Sequence, residues 1–275
     1  MIKTIKTMSK QEKERYTVPR KVQDVIPVRR IWPDGIFLVG NKFSKTYKFS
    51  DINYLVASRE DKESMFLTYS ELLNSLDSGA VTKITINNRR MNQANFETSI
   101  LMPMQGDFRD EYRGEYNQML LDKATGANGI MQEKYITISV VKKDVEEARA
   151  YFARVGADLI SHFAALGSKC VELDATERLR ILHDFYRQGE EAEFRFNARE
   201  MMKRGHAFRD YICPDGIEKN SDYLKLGDKF CRVLFLKDYA SYIKDNMVTE
   251  LTDFNRNLMF SIDIVPVPTD EAVRE

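Results

Sequence analysis

The sequence predicts a protein of the α+β class, and three observations lead to this prediction. Segments with an apolar residue at every second position are interspersed with segments in which apolar residues recur at helical spacing. Residues that favour helix caps and turns separate the two kinds of segment. The chain has 275 residues, 43% of them hydrophobic, which is enough to bury one large core or two smaller ones.

The first elements expected along the chain are a β-hairpin and a half-buried strand. Ordered structure is predicted to begin at Val22, and Pro, Asp and Gly at positions 33–35 form a turn between two apolar segments. Residues 43–49 alternate apolar and polar side chains, which predicts a strand with one buried face. Three further strands are predicted over 81–88, 135–141 and 169–173.

Helices are predicted where a capping residue precedes apolar residues at helical spacing. Ser58, Asp144 and Asp174 are the predicted N-caps, and a glutamate three residues after each aspartate completes a capping box. The helix after Asp144 has the most regular apolar stripe and is expected to end at Gly167. Asp174 and Glu177 could also form an acid–base pair, but capping explains both carboxylates without chemistry. A further helix is predicted over 107–124 from the helical spacing of Tyr112, Tyr116, Met119 and Leu120.

The order of these elements predicts a topology. Residues 43–173 are expected to form a ferredoxin-like split β-α-β unit, an antiparallel sheet with two helices on one face, that carries a helical insertion at about 89–129. A second β-α-β unit is expected to start with a strand over 232–236. A helix over about 246–254 and a strand over 258–267 are expected to follow.

The predicted domains follow from this order. They are a basic flexible tail (1–21), a β-hairpin with the ferredoxin-like subdomain (22–173) and a second α/β subdomain (174–275). Thr269 is predicted to cap a last helix, but only six residues follow it, and so short a helix does not hold in water by itself. The second subdomain is therefore expected to be truncated at its carboxy end.

Composition and charge argue against several classes of protein. Lysine plus arginine and aspartate plus glutamate each number 42, so the formal net charge is zero, unlike that of a generally cationic nucleic-acid-binding protein. The longest apolar runs, such as 233–236, have four residues, against the roughly 20 of a membrane-spanning helix. Three cysteines without CxxC spacing argue against a disulfide framework or a zinc site and fit a reducing cytoplasm.

The amino-terminal tail has a marked charge imbalance. Its seven basic and two acidic residues give residues 1–21 a net charge of +5, and few of its side chains can be buried. We expect a solvated arm; the alternative is a segment that contacts a partner or anionic lipid headgroups. The basic residues are Lys3, Lys6, Lys10, Lys13, Arg15, Arg20 and Lys21.

No recognised motif for nucleotide binding, metal binding or nucleophilic catalysis occurs in the sequence. The nearest approach to a phosphate-binding loop, Gly-Ser-Lys at 167–169, lacks the first glycine and the final hydroxyl residue, and it is interpreted as a helix stop before a strand. His162, His183 and His206 are far apart and are interpreted as surface or boundary residues. The sequence therefore predicts no catalytic, cofactor-binding or metal-binding residue.

Two basic stretches are candidates for nucleic-acid contacts. Residues 87–90 (Asn-Asn-Arg-Arg) follow a strand, and residues 194–211 interleave basic and aromatic side chains. Residues 190–211 also contain five acidic residues and have no net charge, whereas counterion release requires net neutralisation of phosphates. A salt-bridged surface is the better interpretation, and we do not expect nucleic acid to be a partner.

Seven stretches of the sequence resemble one family in the identity of their residues as well as in their hydrophobic pattern. The family is the amino-terminal region of conjugal-transfer ATPases of the VirB/TrbE/CagE type, in the form found on conjugative elements of Gram-positive bacteria. The resemblance covers nearly all residues from Val18 to Glu275. The stretches are VPRKVQDVIPV (18–28), DINYLVASREDKESMFLTYSELLNSLDSGAVTKITINNRR (51–90), EYNQMLLDKATGANGIMQEKYITISV (115–140), ARVGADLISHF (153–163), GSKCVELDATERLRILHDFYRQGEEAEFRF (167–196), VLFLKDYASYIKD (233–245) and PVPTDEAVRE (266–275).

The resemblance implies a place for the chain in a larger machine. Such proteins are cytoplasmic motors at the base of a type IV secretion channel, and their carboxy-terminal half is a RecA-like ATPase that binds ATP and Mg²⁺. Their amino-terminal half docks on inner-membrane channel subunits at the cytoplasmic face of the membrane and helps to assemble the oligomer. Because this sequence has no Walker motif, no nucleotide-binding residue can be carried over to it.

The resemblance therefore implies a non-catalytic docking and assembly domain without a cofactor of its own. Its expected partners are inner-membrane channel subunits, its own ATPase half and further copies of the full-length protein. One alternative is a nucleic-acid-binding module on a ferredoxin-like sheet, which would need exposed aromatic residues on the sheet face. The other is a small enzyme whose site is not recognised in the sequence.

Overall fold

The computed structural model describes residues 19–52, 54, 56–76, 79–90, 101–126, 130–238 and 246–267. In this part of the chain, six α-helices accompany a seven-stranded antiparallel sheet and a small three-stranded antiparallel sheet. The predicted α+β class is therefore confirmed. Short 3-10 helices over Val22–Val25, Glu191–Glu193 and Phe208–Tyr211 complete the described elements.

The elements alternate irregularly along the chain. The strands are β1 (Val28–Ile31), β2 (Phe37–Val39), β3 (Lys42–Phe49), β4 (Ala80–Arg90), β5 (Ile130–Val140), β6 (Cys170–Glu172), β7 (Ile217–Lys219), β8 (Leu224–Leu226), β9 (Lys229–Cys231) and β10 (Leu258–Ile264). The helices are α1 (Arg59–Asn74), α2 (Asp110–Gly126), α3 (Val145–Ala165), α4 (Ala175–Tyr186), α5 (Ala198–Arg204) and α6 (Asn246–Thr252).

The central strands of the large sheet are β3, β5 and β4, in that order. On one edge β3 pairs with β5, and its other edge is shared by two strands. There β2 pairs with residues 42–44 and β6 with residues 47–49. The strands β4 and β5 pair over 11 residues each, from Ala80 opposite Val140 to Arg90 opposite Ile130. The strand β10 adds to the far side of β4, and β1 pairs with β2.

The predicted second β-α-β unit differs from the structure in two respects. Residues 232–236, predicted as its first strand, form no strand, since they pair with no strand of the described residues. The following helix and strand do form, as α6 and β10, but β10 pairs with β4 of the large sheet. The helix predicted after Thr269 lies outside the described residues.

One face of the large sheet, here called the helix-covered face, packs against α1 and α3. The apolar stripe predicted for α3 is buried on Tyr47, Ile136 and Ile138 of the sheet. The helix α3 approaches β3 so closely that a Cβ atom on Gly156 would lie 2.5 Å from the Tyr47 hydroxyl oxygen. In α1, Leu72 is buried against the sheet, whereas Phe66 is exposed.

The three predicted N-caps within the described residues are confirmed. Ser58 Oγ accepts a hydrogen bond from the Asp61 amide at 3.1 Å, and the Asp144 carboxylate accepts one from the Glu147 amide at 2.9 Å. At the other end of α3, Gly167 has φ +76°, and the amides of Gly167 and Ser168 donate back to the Ala164 and Phe163 carbonyls. This is the glycine helix end that the sequence predicts.

Asp174 and Glu177 form a complete capping box at the start of α4. The Asp174 carboxylate accepts from the Glu177 amide at 2.8 Å, and the Glu177 carboxylate accepts from the Asp174 amide at 2.9 Å. We expect Asp174→Ala to lower the free energy of unfolding by about 1 kcal/mol in urea denaturation. Asp174→Asn keeps an equally good cap and should stay within a few tenths of a kcal/mol of the parent. Equal loss in both variants would contradict the capping role.

The opposite face of the large sheet, here called the second face, carries α4. The prediction that β3 has only one buried face was therefore wrong: Ser44 and Thr46 are buried as well as Phe43 and Tyr47. A second apolar cluster joins α4 to the β1–β2 hairpin and to residues 194–213, through Phe37, Leu179 and Ile212. The Arg178 guanidinium donates to the carbonyls of Gly35 and Ser44, both at 2.7 Å, and lies 4.0 Å from the centroid of the Phe37 ring. Burial lowers the pKa of Arg178 to about 9, so its side chain is still cationic at neutral pH.

Candidate docking surface

Two features outside the apolar core could carry a function: a charged network on the second face and a helical arm. The network lies where the end of α4 meets β4 and β5. Arg89 Nη1 donates to the Asp184 carboxylate, and Arg89 Nη2 donates to Glu133 Oε2 at 2.7 Å. Lys48 Nζ and the Tyr135 hydroxyl also donate to the Glu133 carboxylate, at 2.6 and 2.8 Å. The side chain of Asp184 is only 1% exposed.

In this network the positive charges of Lys48 and Arg89 balance the negative charges of Glu133 and Asp184. Burial alone would raise the pKa of Glu133, but the hydrogen bond from Lys48, the positive charge of Arg89 and the hydrogen bond from Tyr135 together lower it below its ordinary value. Burial, followed by the charge of Glu133, raises the pKa of the Tyr135 hydroxyl, so it remains a neutral donor. The carboxylates are held as ion-pair partners, and the arrangement fastens the end of α4 to the sheet.

His183 is the main surprise in this region. The residue was predicted at the surface or boundary, but it is buried. Its Nδ1 lies 3.1 Å from the Asp184 carboxylate and its ring 5.0 Å from the Phe194 ring. The sequence indicated only that His183 flanks an apolar stripe. Its burial depends on Phe194, which packs there only after the chain has folded back over α4.

The second face lacks the aromatic platform that base stacking requires. Among the described residues that β3, β4 and β5 place on this face, the aromatic one is Tyr135, which is buried under the network. Arg89, from the basic stretch 87–90, is already engaged by two carboxylates. The geometry of this face therefore offers no support for recognition of single-stranded nucleic acid.

The second feature is the helical arm, defined as residues 101–126, which lies within the predicted insertion. Its helix, α2, covers almost the predicted range, beginning at Asp110 and ending at Gly126. The arm is held together mainly by polar contacts of its own. The Asn117 side chain accepts from the Met102 amide at 2.8 Å and donates to the Met102 carbonyl at 2.9 Å.

The first turn of α2 is organised around a single guanidinium. Arg113 donates to the carboxylates of Asp107 and Asp110, and Asp110 accepts from the amides of Gln105 and Gly106 at 3.0 and 2.7 Å. The hydrogen bond from Arg113 lowers the pKa of Asp107, and the amide of Gln105 followed by Arg113 lowers that of Asp110. The loop before α2 is thus fixed on the helix without an apolar core.

The arm presents its apolar side chains to solvent. Phe108, Tyr112, Tyr116 and Met119 follow one another at helical spacing, and Phe108 is 81% exposed. Met102, Phe108, Tyr112 and Tyr116 line a shallow groove together with Arg109 and Arg113. The apolar positions of this helix were predicted from the sequence, but a spacing pattern does not tell whether the stripe packs against a core or remains exposed.

The predicted site residues outside these features are only partly described. Of the basic tail, Arg20 and Lys21 are exposed, whereas Lys3, Lys6, Lys10, Lys13 and Arg15 lie outside the described residues. Cys170, Cys213 and Cys231 are free thiols. Across the described ranges, no group of three or more His, Cys, Asp or Glu side chains has the geometry of a metal site.

No helix in the described part of the chain combines the length and the apolar character needed to cross a bilayer. Neither a protein-family model nor a curated protein matches the sequence.

Proposed function

We propose that this chain is a non-catalytic docking and assembly domain of a conjugative DNA-transfer ATPase of the type IV secretion class. Its partners are inner-membrane channel subunits and the ATPase half of the same protein. The sequence resemblance from Val18 to Glu275 supports the class. The exposed arm is the structural observation that carries the proposal.

The arm is suited to docking because of its chemistry and its rigidity. Protein interfaces are enriched in aromatic residues, methionine and arginine, which are the residues that line the groove of the arm. The Arg113 and Asn117 contacts fix the loop and helix before a partner arrives, so little conformational entropy is lost on binding. A partner that buries Tyr112 and Tyr116 would cover a surface that now contacts water.

We also propose that the unit around the large sheet has ferredoxin-like topology. In support, β6, β3, β5 and β4 are neighbours in that order, all pairs are antiparallel, and α1 and α3 cover one face. The β1–β2 hairpin and β10 would then be additions to the two sides of that unit.

The remaining parts of the proposal come from the resemblance. ATP and Mg²⁺ bind in the carboxy-terminal ATPase half, and this domain contributes no cofactor site. The full-length protein is cytoplasmic, lies at the cytoplasmic face of the membrane and forms a homo-oligomer. The basic tail of residues 1–21 adds a contact to a partner or to lipid headgroups.

A binding assay with matched variants tests the proposal. Tyr112→Ala in α2 and Phe66→Ala in α1 each remove a helical aromatic side chain, 68% and 67% exposed respectively. We expect Tyr112→Ala to weaken binding of this chain to purified inner-membrane channel subunits of its secretion system by about 30-fold, as for an interface hot spot. Phe66→Ala should bind as the parent does.

Equal binding by the parent and Tyr112→Ala would contradict docking through the arm. Failure of the parent to bind channel subunits at about 100 μM would overturn the proposed function itself. ATP hydrolysis is measured alongside, and turnover by this chain alone would contradict a non-catalytic domain.

A further inference from the structure

A second uncovered apolar surface lies at residues 232–238, here called the RVLFLKD segment. Its first residue directly follows β9, the edge strand of the small sheet. Val233, Leu234 and Phe235 are 74%, 82% and 82% exposed, and Leu236 is exposed as well. Phe230 on β9, two residues before the segment, is 68% exposed.

The composition of this segment is that of a strand, although it forms none. Four consecutive apolar residues, two of them β-branched or aromatic, led to the prediction of a strand over 232–236. No residue of the segment pairs with a strand elsewhere in the described ranges. A strand forms only when its amides and carbonyls find a partner, and an exposed apolar edge is a template for such pairing.

The charges at the ends of the segment identify the partner. If two copies pair antiparallel about a two-fold axis at Phe235, Arg232 of each copy lies opposite Asp238 of the other. In the same register Leu234 lies opposite Leu236, and the two Phe235 side chains meet at the axis. A shift by one residue in one direction would place Arg232 opposite Lys237, which like charges disfavour, and a shift in the other direction would remove Arg232 from Asp238.

We propose that the RVLFLKD segments of two copies of this chain pair in this antiparallel register and join their small sheets into one. The symmetry is that of a two-fold interface, in which the same patch serves both copies. This inference names a contact surface for the homo-oligomer of the proposed function. It rests on that proposal only for the expectation that copies of the protein associate. The contact is small compared with stable interfaces, so we expect a reversible dimer.

A charge exchange tests the register. Arg232→Asp and Asp238→Arg each place like charges opposite each other at both ends of the paired strands, and each should weaken dimerisation about tenfold in sedimentation velocity. The double variant Arg232→Asp/Asp238→Arg restores opposite charges and should return to within about threefold of the parent. A parent chain that stays monomeric at about 0.5 mM, or a double variant no better than the single ones, would overturn the proposal.

Cysteine cross-linking supplies an independent measurement. In the proposed register Phe235→Cys places two cysteines directly opposite each other, within disulfide reach, whereas Leu234→Cys places them on a diagonal about 7–8 Å apart. We expect the oxidised dimer with Phe235→Cys, and far less with Leu234→Cys. Equal cross-linking in both variants would contradict the register.

The experiments distinguish an error in the proposed dimer from an error in the proposed docking role. Tyr112→Ala should leave sedimentation unchanged, and Arg232→Asp should leave binding to purified channel subunits unchanged. A parent chain that binds channel subunits but remains monomeric would overturn only the dimer. A dimer that survives Tyr112→Ala and binds no channel subunit would overturn only the docking role.

Discussion

Replacing Arg89 with alanine is expected to lower the free energy of unfolding by about 3–5 kcal/mol. The guanidinium is bound between Asp184, whose side chain is 1% exposed, and Glu133, whose side chain is 12% exposed. Without it, two carboxylates remain largely removed from water with too few positive partners. Urea denaturation followed by circular dichroism measures the loss, which should appear as a lower midpoint at unchanged slope.

Arg90 is the matched control for this variant. It follows Arg89 on the same strand, but its side chain is exposed, and its backbone amide donates to Asn257 Oδ1 at 2.7 Å. We expect Arg90→Ala to change the free energy of unfolding by no more than about 0.5 kcal/mol. Arg89→Lys keeps the charge but loses the forked geometry and should fall between the two. Equal effects of Arg89→Ala and Arg90→Ala would show that the network contributes nothing to stability.

Replacing Gly35 with alanine is expected to cost about 2–5 kcal/mol, because backbone strain and overpacking act together. Gly35 has φ +79°, a conformation that side chains disfavour, in the turn between β1 and β2. A Cβ atom there would lie 2.0 Å from the Leu173 carbonyl oxygen, which is part of the backbone leading into α4. Either the hairpin or the start of α4 must therefore move, and urea denaturation should detect the loss.

The variant Gly40→Ala distinguishes backbone strain from overpacking as the cause of that loss. Its φ is +61°, but a Cβ atom there would have nothing within 4 Å. Gly40→Ala should therefore show only the cost of the left-handed conformation, about 1–2 kcal/mol. If both variants lose the same stability, the close approach of the hairpin to Leu173 makes no contribution.

The helices could be predicted from the sequence more reliably than the connections between strands. Ser58, Asp144 and Asp174 act through hydrogen bonds to amides three residues away, so the information for each cap lies within one helical turn. The strand over 232–236 was wrong for the opposite reason. Its apolar residues favour a strand, but strand formation needs a partner that the local sequence does not contain.

The candidate surfaces likewise combine features that the local sequence predicts with features that depend on tertiary contacts. The apolar spacing of Tyr112, Tyr116 and Met119 predicted a helix, and the helix forms, but only the tertiary structure shows that the stripe faces solvent. Arg89 lay in a candidate nucleic-acid stretch and His183 was predicted at the surface or boundary. Their burial was not foreseen because Arg89 binds Asp184 and Glu133, and His183 packs on Phe194, in other parts of the chain. Neither the burial nor the pairing of such residues can be obtained from neighbours along the chain.

The amino-acid sequence by itself determined the fold class, the capped helix starts and the position of strand β3, because hydrogen bonds and side-chain periodicity within a few residues decide them. That both faces of β3 are buried was decided by the packing of α4 on the second face. Only the tertiary structure decided that β10 joins β4, that β2 and β6 share one side of β3, and that Arg89 lies between two carboxylates. These features depend on contacts between residues distant in sequence, whose free energies are realised only when the whole chain has folded.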